Sequence, residues 1–215
     1  MGSDYWIVDH YLFSPNPNGI VATDSYQAYT RQFDLPAGDY SLKLVLDNDG
    51  KFGRVEMPIR VPAFDPARLW ISSVFLCRRF HQPTQDELEK LPPQYTPLIS
   101  EGTEFEPAGD TRFTQEERLQ LWFQIYAPPR SVSMTDSIHY EIKLVNLQTG
   151  KVESDTGVGS VEDFLEPGQR VIPIWKEVLI NKLAPGAYRV DVQATDSVTK
   201  STVQSSNTFT MVKKK

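Results

Sequence analysis

The chain has 215 residues, 40% of them apolar and 23% charged, which is enough for one large or two modest domains with a real core. A net charge of −6 argues against nucleic acid, whose phosphates demand concentrated Lys and Arg, and no apolar run reaches the roughly 18 residues of a membrane span. With Cys77 as the only cysteine, neither a disulfide framework nor a thiolate zinc centre is expected.

From the N-terminus, the stretch MGSDYWIVDHY lacks the basic region and apolar run of a signal peptide. In a chain cut from a longer precursor that leaves the compartment open. The first clear element is LPAGDYSLKLVLD (35–47), where Leu42, Leu44 and Leu46 alternate with polar residues, as they do in a half-buried strand. It runs through Asp47-Asn48-Asp49-Gly50 into FGRVEMPIRV, which predicts a β-hairpin. Pro62 and Pro66 then bracket a stiff linker at 63–67. Period-two runs follow at 68–76, 119–126, 138–147, 170–180, 188–194 and 207–212, separated by turn residues such as QTGK and EPGQ. A long insertion at 81–110 carries PTQDELEKLPP, where Thr84 and Glu87 have capping-box spacing, so one short surface helix is predicted. TQEERL (114–119) has the same spacing, but strict alternation of Leu119, Leu121, Phe123 and Ile125 makes the following segment a strand.

The fold class is therefore all-β: two β-sandwich domains in tandem, the first partial and the second at 68–215 with the 81–110 insertion. Residues 1–62 form either a small sheet leaning on its neighbour or the C-terminal half of a sandwich whose first strands lie outside this chain. The second option is favoured by a repeat: LPAGDYSLKLVLD is written again as LAPGAYRVDVQATD (183–196). Leu35 matches Leu183, Gly38 matches Gly186, Tyr40 matches Tyr188, and Leu42, Leu44 and Leu46 match Val190, Val192 and Ala194.

The repeated Leu, Pro-Gly turn and Tyr before an alternating run resemble the tyrosine corner of immunoglobulin-like and fibronectin-type-III-like sandwiches. That resemblance makes Tyr40 and Tyr188, with Gly38 and Gly186, architectural. The tandem arrangement, with FTQEERLQLWFQIYAP in the middle of the second domain, is also similar to the β-rich C-terminal region of bacterial secreted proteins related to von Willebrand factor A. It implies an extracellular or cell-envelope location. The chain has no Asp-x-Ser-x-Ser sequence, so the metal function of the A domain does not carry over.

Catalytic motifs are missing. His10, His81 and His139 are widely separated, and there is neither a Gly-x-Ser-x-Gly elbow nor a Gly-rich phosphate loop. Cys77 in VFLCRRF reads as a buried thiol, although Arg78 and Arg79 would lower its pKa if it were exposed. The 47–50 turn offers oxygen ligands but lacks the Glu that closes a calcium loop. Glu101, Glu104, Glu106 and Asp110 read as a solvated acidic loop. No enzyme, metal or cofactor is expected.

The suggestive feature is aromatic. With Leu119, Leu121, Phe123 and Ile125 inward, Gln120, Trp122, Gln124 and Tyr126 share the other face. They form either a binding patch or a surface covered by the 81–110 insertion, while Trp6, Trp70 and Trp175 fit a core equally well. Two functions follow: a non-catalytic structural, adhesion or protein-interaction module of a larger envelope or secreted protein, or a carbohydrate-binding module using Trp122 and Tyr126. Each places a protein or glycan partner on a sheet face.

Overall fold

Each alternating run buries one row of side chains and wets the other, because successive strand side chains point to opposite faces. The computed structural model describes residues 33–48, 50–89, 98–100, 102–129, 137–164 and 169–213. They are all-β, with α1 the single α-helix among them. In chain order the elements are β1 (Gly38–Asn48), β2 (Lys51–Val61), β3 (Trp70–Ile71), β4 (Phe75–His81), α1 (Gln85–Glu89), β5 (Ile99–Ser100), β6 (Thr103–Pro107), β7 (Arg112–Phe113), β8 (Leu119–Tyr126), β9 (Ile138–Asn146), β10 (Val152–Ser160), β11 (Val171–Val178), β12 (Gly186–Asp196) and β13 (Ser201–Met211).

β1 and β2 form an antiparallel hairpin that pairs with no other described strand. Its turn is closed by the Gly50 N–H donating to Asp47 Oδ1 at 3.3 Å, with Gly50 at φ +82°, a conformation that costs glycine little. The other strands make two sheets, one ordered β10–β9–β12–β13–β7 and one ordered β11–β8–β4–β6–β5, with β3 also paired to β8. Their inner faces share one core. Leu119, Leu121, Phe123 and Ile125 of β8 are fully buried, together with Ile142, Leu144, Val190 and Val192 of the facing sheet. Phe123 meets Tyr140 across the gap, ring centroids 6.0 Å apart. Each fully buried side chain of this kind contributes about 1.5–3 kcal/mol, and the buried core of the described residues lies in this two-sheet sandwich.

Both corner tyrosines bond back across their turns. The Tyr188 hydroxyl donates to the Ala184 carbonyl at 2.9 Å, and the Tyr40 hydroxyl donates to the Pro36 carbonyl at 2.7 Å. The turn after β12 is fixed by Asp196, a fully buried carboxylate that accepts from the Val198 N–H at 3.0 Å and from Thr199 Oγ1 at 2.5 Å. That allows Lys200 to hold φ +57°.

Several elements depart from the expected outline. The run predicted at 68–76 splits into β3 and β4, because Ser72 leaves the ladder: its Oγ accepts from the Gln124 N–H and its own N–H donates to the Gln124 carbonyl, each at 2.9 Å. The 81–110 stretch does carry the short helix, with Thr84 and Glu87 in reciprocal capping bonds of 2.7 and 3.3 Å. It also supplies β5 and β6, which extend a sheet. Thr114 and Glu117 close a turn at 2.6 Å and β8 begins immediately afterwards, so the alternation does outweigh the cap. β10 was not foreseen. It is a polar edge strand whose pairing with β9 shifts register twice, between Val152 and Ser154 and between Asp155 and Val158, with Gly157 at φ +67°. The other edges are β5 and β7, two residues each, and β11, which contains Pro173.

Candidate functional site

β8 is the central positioning element, because its alternation is perfect and both its neighbours are in register. Gln120, Trp122, Gln124 and Tyr126 all lie on the outer face, each half-buried. Across the strands, Phe75, Trp122 and Trp175 form one aromatic row, and Trp70 and Tyr126 stand side by side four residues along β8. Half-burial also applies to Trp70 and Trp175, which therefore belong to this face and not to the core.

The face is roofed by its own chain. Phe105 of β6 stacks on Trp122 with centroids 4.4 Å apart and planes 13° from parallel, while Phe75 meets the same indole at 5.5 Å. Phe64, from the 63–67 stretch, sits 5.1 Å from Tyr126 and 6.4 Å from Trp70. That stretch is anchored in turn, since an Arg170 guanidinium N–H donates to the Pro66 carbonyl at 2.6 Å. The Tyr126 hydroxyl donates to Gln124 Oε1 at 2.7 Å, and burial raises its pKa above the usual phenol value. Gln120 Oε1 and Trp122 Nε1 are buried without a hydrogen-bond partner among the described residues. A buried donor and acceptor in that state mark a place where further polar groups belong.

Cys77 lies beside Gln120 in strand register and is fully buried. Burial, reinforced by the Glu106 carboxylate, pushes its thiol up to about 12, so it is no nucleophile at neutral pH. Arg78 is occupied elsewhere. It pairs with Glu117, donates to the Asp110 and Arg112 carbonyls at 3.0 and 3.1 Å, and lies 4.9 Å over the Phe113 ring.

The acidic residues of the 101–110 segment are distributed among cations. Glu104 lies 3.3 Å from His81, Glu106 lies 3.8 Å from Arg79, and Asp110 lies 2.6 Å from Arg112, whose hydrogen bond holds the Asp110 carboxyl below its usual pKa. His139 is half-buried between Ser160 and Thr195 in strand register. Among the described residues no three His, Cys, Asp or Glu side chains come together as metal ligands, and no helix is long and apolar enough to cross a membrane. Trp6, His10, Asp49 and Glu101 lie outside the described residues.

The outer face of the opposite sheet bears a polar trough of about 530 Å³ lined by Glu141, Lys143, Arg189, Asp191, Gln193 and Gln204. Its groups mostly satisfy one another: Lys143 bonds Glu141 at 2.8 Å, Arg189 holds Asp191 at 2.6 and 2.8 Å, and Gln204 donates to Gln193 at 2.7 Å. Aromatic packing on one face and closed ion pairs on the other can support recognition by surface, and among the described residues of these two faces no acid, base and nucleophile converge. The sequence matches no model of a known protein family and no curated protein.

Proposed function

We propose that this chain is a non-catalytic structural or adhesion module, with sandwiches of the immunoglobulin-like or fibronectin-type-III-like kind, serving as spacer and protein-interaction surface in a larger secreted or envelope protein. The observation that carries this reading is the roofed aromatic face: Phe105 stacks on Trp122 and Phe64 covers Tyr126. A sugar platform needs an aromatic plane open to the ring it receives, and one plane of Trp122 is already taken. A protein partner needs less, because a rim of half-exposed aromatics around a packed centre is the composition of a recognition patch. Phe64 and Phe75 provide that rim, 49% and 38% exposed. The net charge of −6 supports a partner other than nucleic acid.

The test compares the purified chain on a glycan array with its binding to immobilised envelope and extracellular proteins, for wild type and for Phe64→Ser at the exposed rim. Saturable protein binding that survives deglycosylation of the bait and weakens in Phe64→Ser is expected. Saturable binding to a defined glycan, lost in Trp122→Ala while the fold persists, would replace this reading with the carbohydrate one.

A further inference from the structure

The β1–β2 hairpin has two unlike faces. Register pairs Tyr40 with Ile59, Leu42 with Met57, Leu44 with Val55 and Leu46 with Gly53, and alternation sets all of them on one side. No charge lies among them, and Leu42, Leu44, Leu46, Val55 and Met57 stand 38–52% exposed. The other side is suited to water, since Lys43 and Arg54 both pair with Glu56, Ser41 donates to Glu56 at 3.0 Å, and Arg60 lies 3.7 Å from Asp39.

The β12–β13 hairpin shows what such a face packs against. Its strands have the same 11 residues, and Tyr188 faces Phe209 where Tyr40 faces Ile59. Its apolar side, with Tyr188, Val190, Val192 and Ala194, is buried against the alternating face of a second sheet. Among the described strands β1 and β2 have no such sheet, and a lone two-stranded sheet is marginal in water. The surface that completes them by the same rule is a flat apolar sheet face of equal length and free of charge. The hairpin is itself such a surface.

We propose that two copies of the chain pair through this face, their β1–β2 hairpins stacking as a two-layer sandwich about a twofold axis. The face is graded in size, which sets the direction. Tyr40 and Ile59 make its base end bulky, whereas at the tip end Leu46 faces Gly53, where an added Cβ would meet nothing within 4 Å. Stacked tip to base, the Tyr40–Ile59 pair of each copy lies over the Gly53 notch of the other, and the twofold axis makes both ends of the contact alike. Strands of 11 residues rise about 36 Å and stand about 4.8 Å apart, so with its side chains the face covers roughly 500 Å² and two copies bury about 1,000 Å². That is the lower bound for a specific interface, which makes the dimer reversible, with a micromolar Kd.

The test is analytical ultracentrifugation of the full chain over a concentration series spanning the micromolar range, with nuclear magnetic resonance on mixed, differently labelled copies. A monomer–dimer equilibrium is expected, and added salt does not weaken it because the contact holds no charge. Overhauser contacts between copies are expected to join Ile59 methyls to Leu46 methyls. Leu44→Glu is expected to raise the Kd about tenfold or more, since it places a carboxylate in the contact. Val45→Glu, on the opposite side of β1, is expected to leave the Kd unchanged. Unaltered amide exchange in Gly186–Asp196 confirms that the sandwich persists in both variants. A chain that stays monomeric throughout the series would overturn the proposal and leave the face to a different protein. A dimer that salt dissolves, or that Val45→Glu weakens as much as Leu44→Glu, would also overturn it and place the contact on a charged surface.

Discussion

Tyr188 and Tyr40 make the same bond at different depths. Tyr188 is buried, so Tyr188→Phe leaves the Ala184 carbonyl short of a donor and is expected to cost about 1–3 kcal/mol, read as a lower urea midpoint. At Tyr40 water can replace the lost donor, and Tyr40→Phe is expected to shift that midpoint little; equal losses at both positions would show that depth does not set the cost. Cys77 gives a pH signature. Its thiol, ordinarily near 9, is raised to about 12 in the folded chain, so the stability tied to keeping it protonated is complete below pH 9 and is lost as pH rises from 9 toward 12. Urea midpoints measured across that window are expected to fall more steeply for wild type than for Cys77→Ala, and parallel curves would refute the assignment. Both residues were legible in the sequence for local reasons. A tyrosine two places after a turn glycine and a cysteine ending an apolar run each announce their environment within a few neighbours.

At the scale of elements, alternation was readable wherever one face is buried and the other wet. β8 and β9 show it residue by residue, and both were found. β10 carries Val-Glu-Ser-Asp-Thr-Gly-Val-Gly-Ser with both faces largely exposed, so no period betrayed it. β5 and β6 were hidden for a different reason: the five-residue β6 owes its place to pairing with β4, and the two-residue β5 to pairing with β6, which sequence spacing does not encode. The same gap left open whether Trp122 was covered, because the residue that stacks on it comes from a strand two places away in the sheet. A double-mutant cycle on Phe105→Ala and Trp122→Ala is expected to give a coupling of about 0.5–1.5 kcal/mol by thermal or chemical denaturation. Trp122→Ala with Tyr126→Ala is expected to destabilise by several kcal/mol, since packed aromatic volume is removed at two places. A double variant as stable as the parent would mean that the roof contributes nothing and would return the face to a glycan.

Across the whole molecule, the sandwich of β3–β13 and the β1–β2 hairpin share no strand pairing among the described residues, so they are expected to open as separate units. Native-state hydrogen exchange is expected to give one common protection level for the amides of β8, β9 and β12 and a separate, lower one for β1 and β2. A single level throughout would show that they open as one. The irregular β10 has a consequence of another kind. Unpaired N–H and C=O groups along a sheet border are a template on which an incoming strand can add. Two register shifts and a left-handed Gly157 twist that border out of line, and the Lys143–Asp155 and Lys151–Glu153 charges flank it. The border is therefore a poor template for strand addition, and the folded chain is protected there against edge-to-edge association.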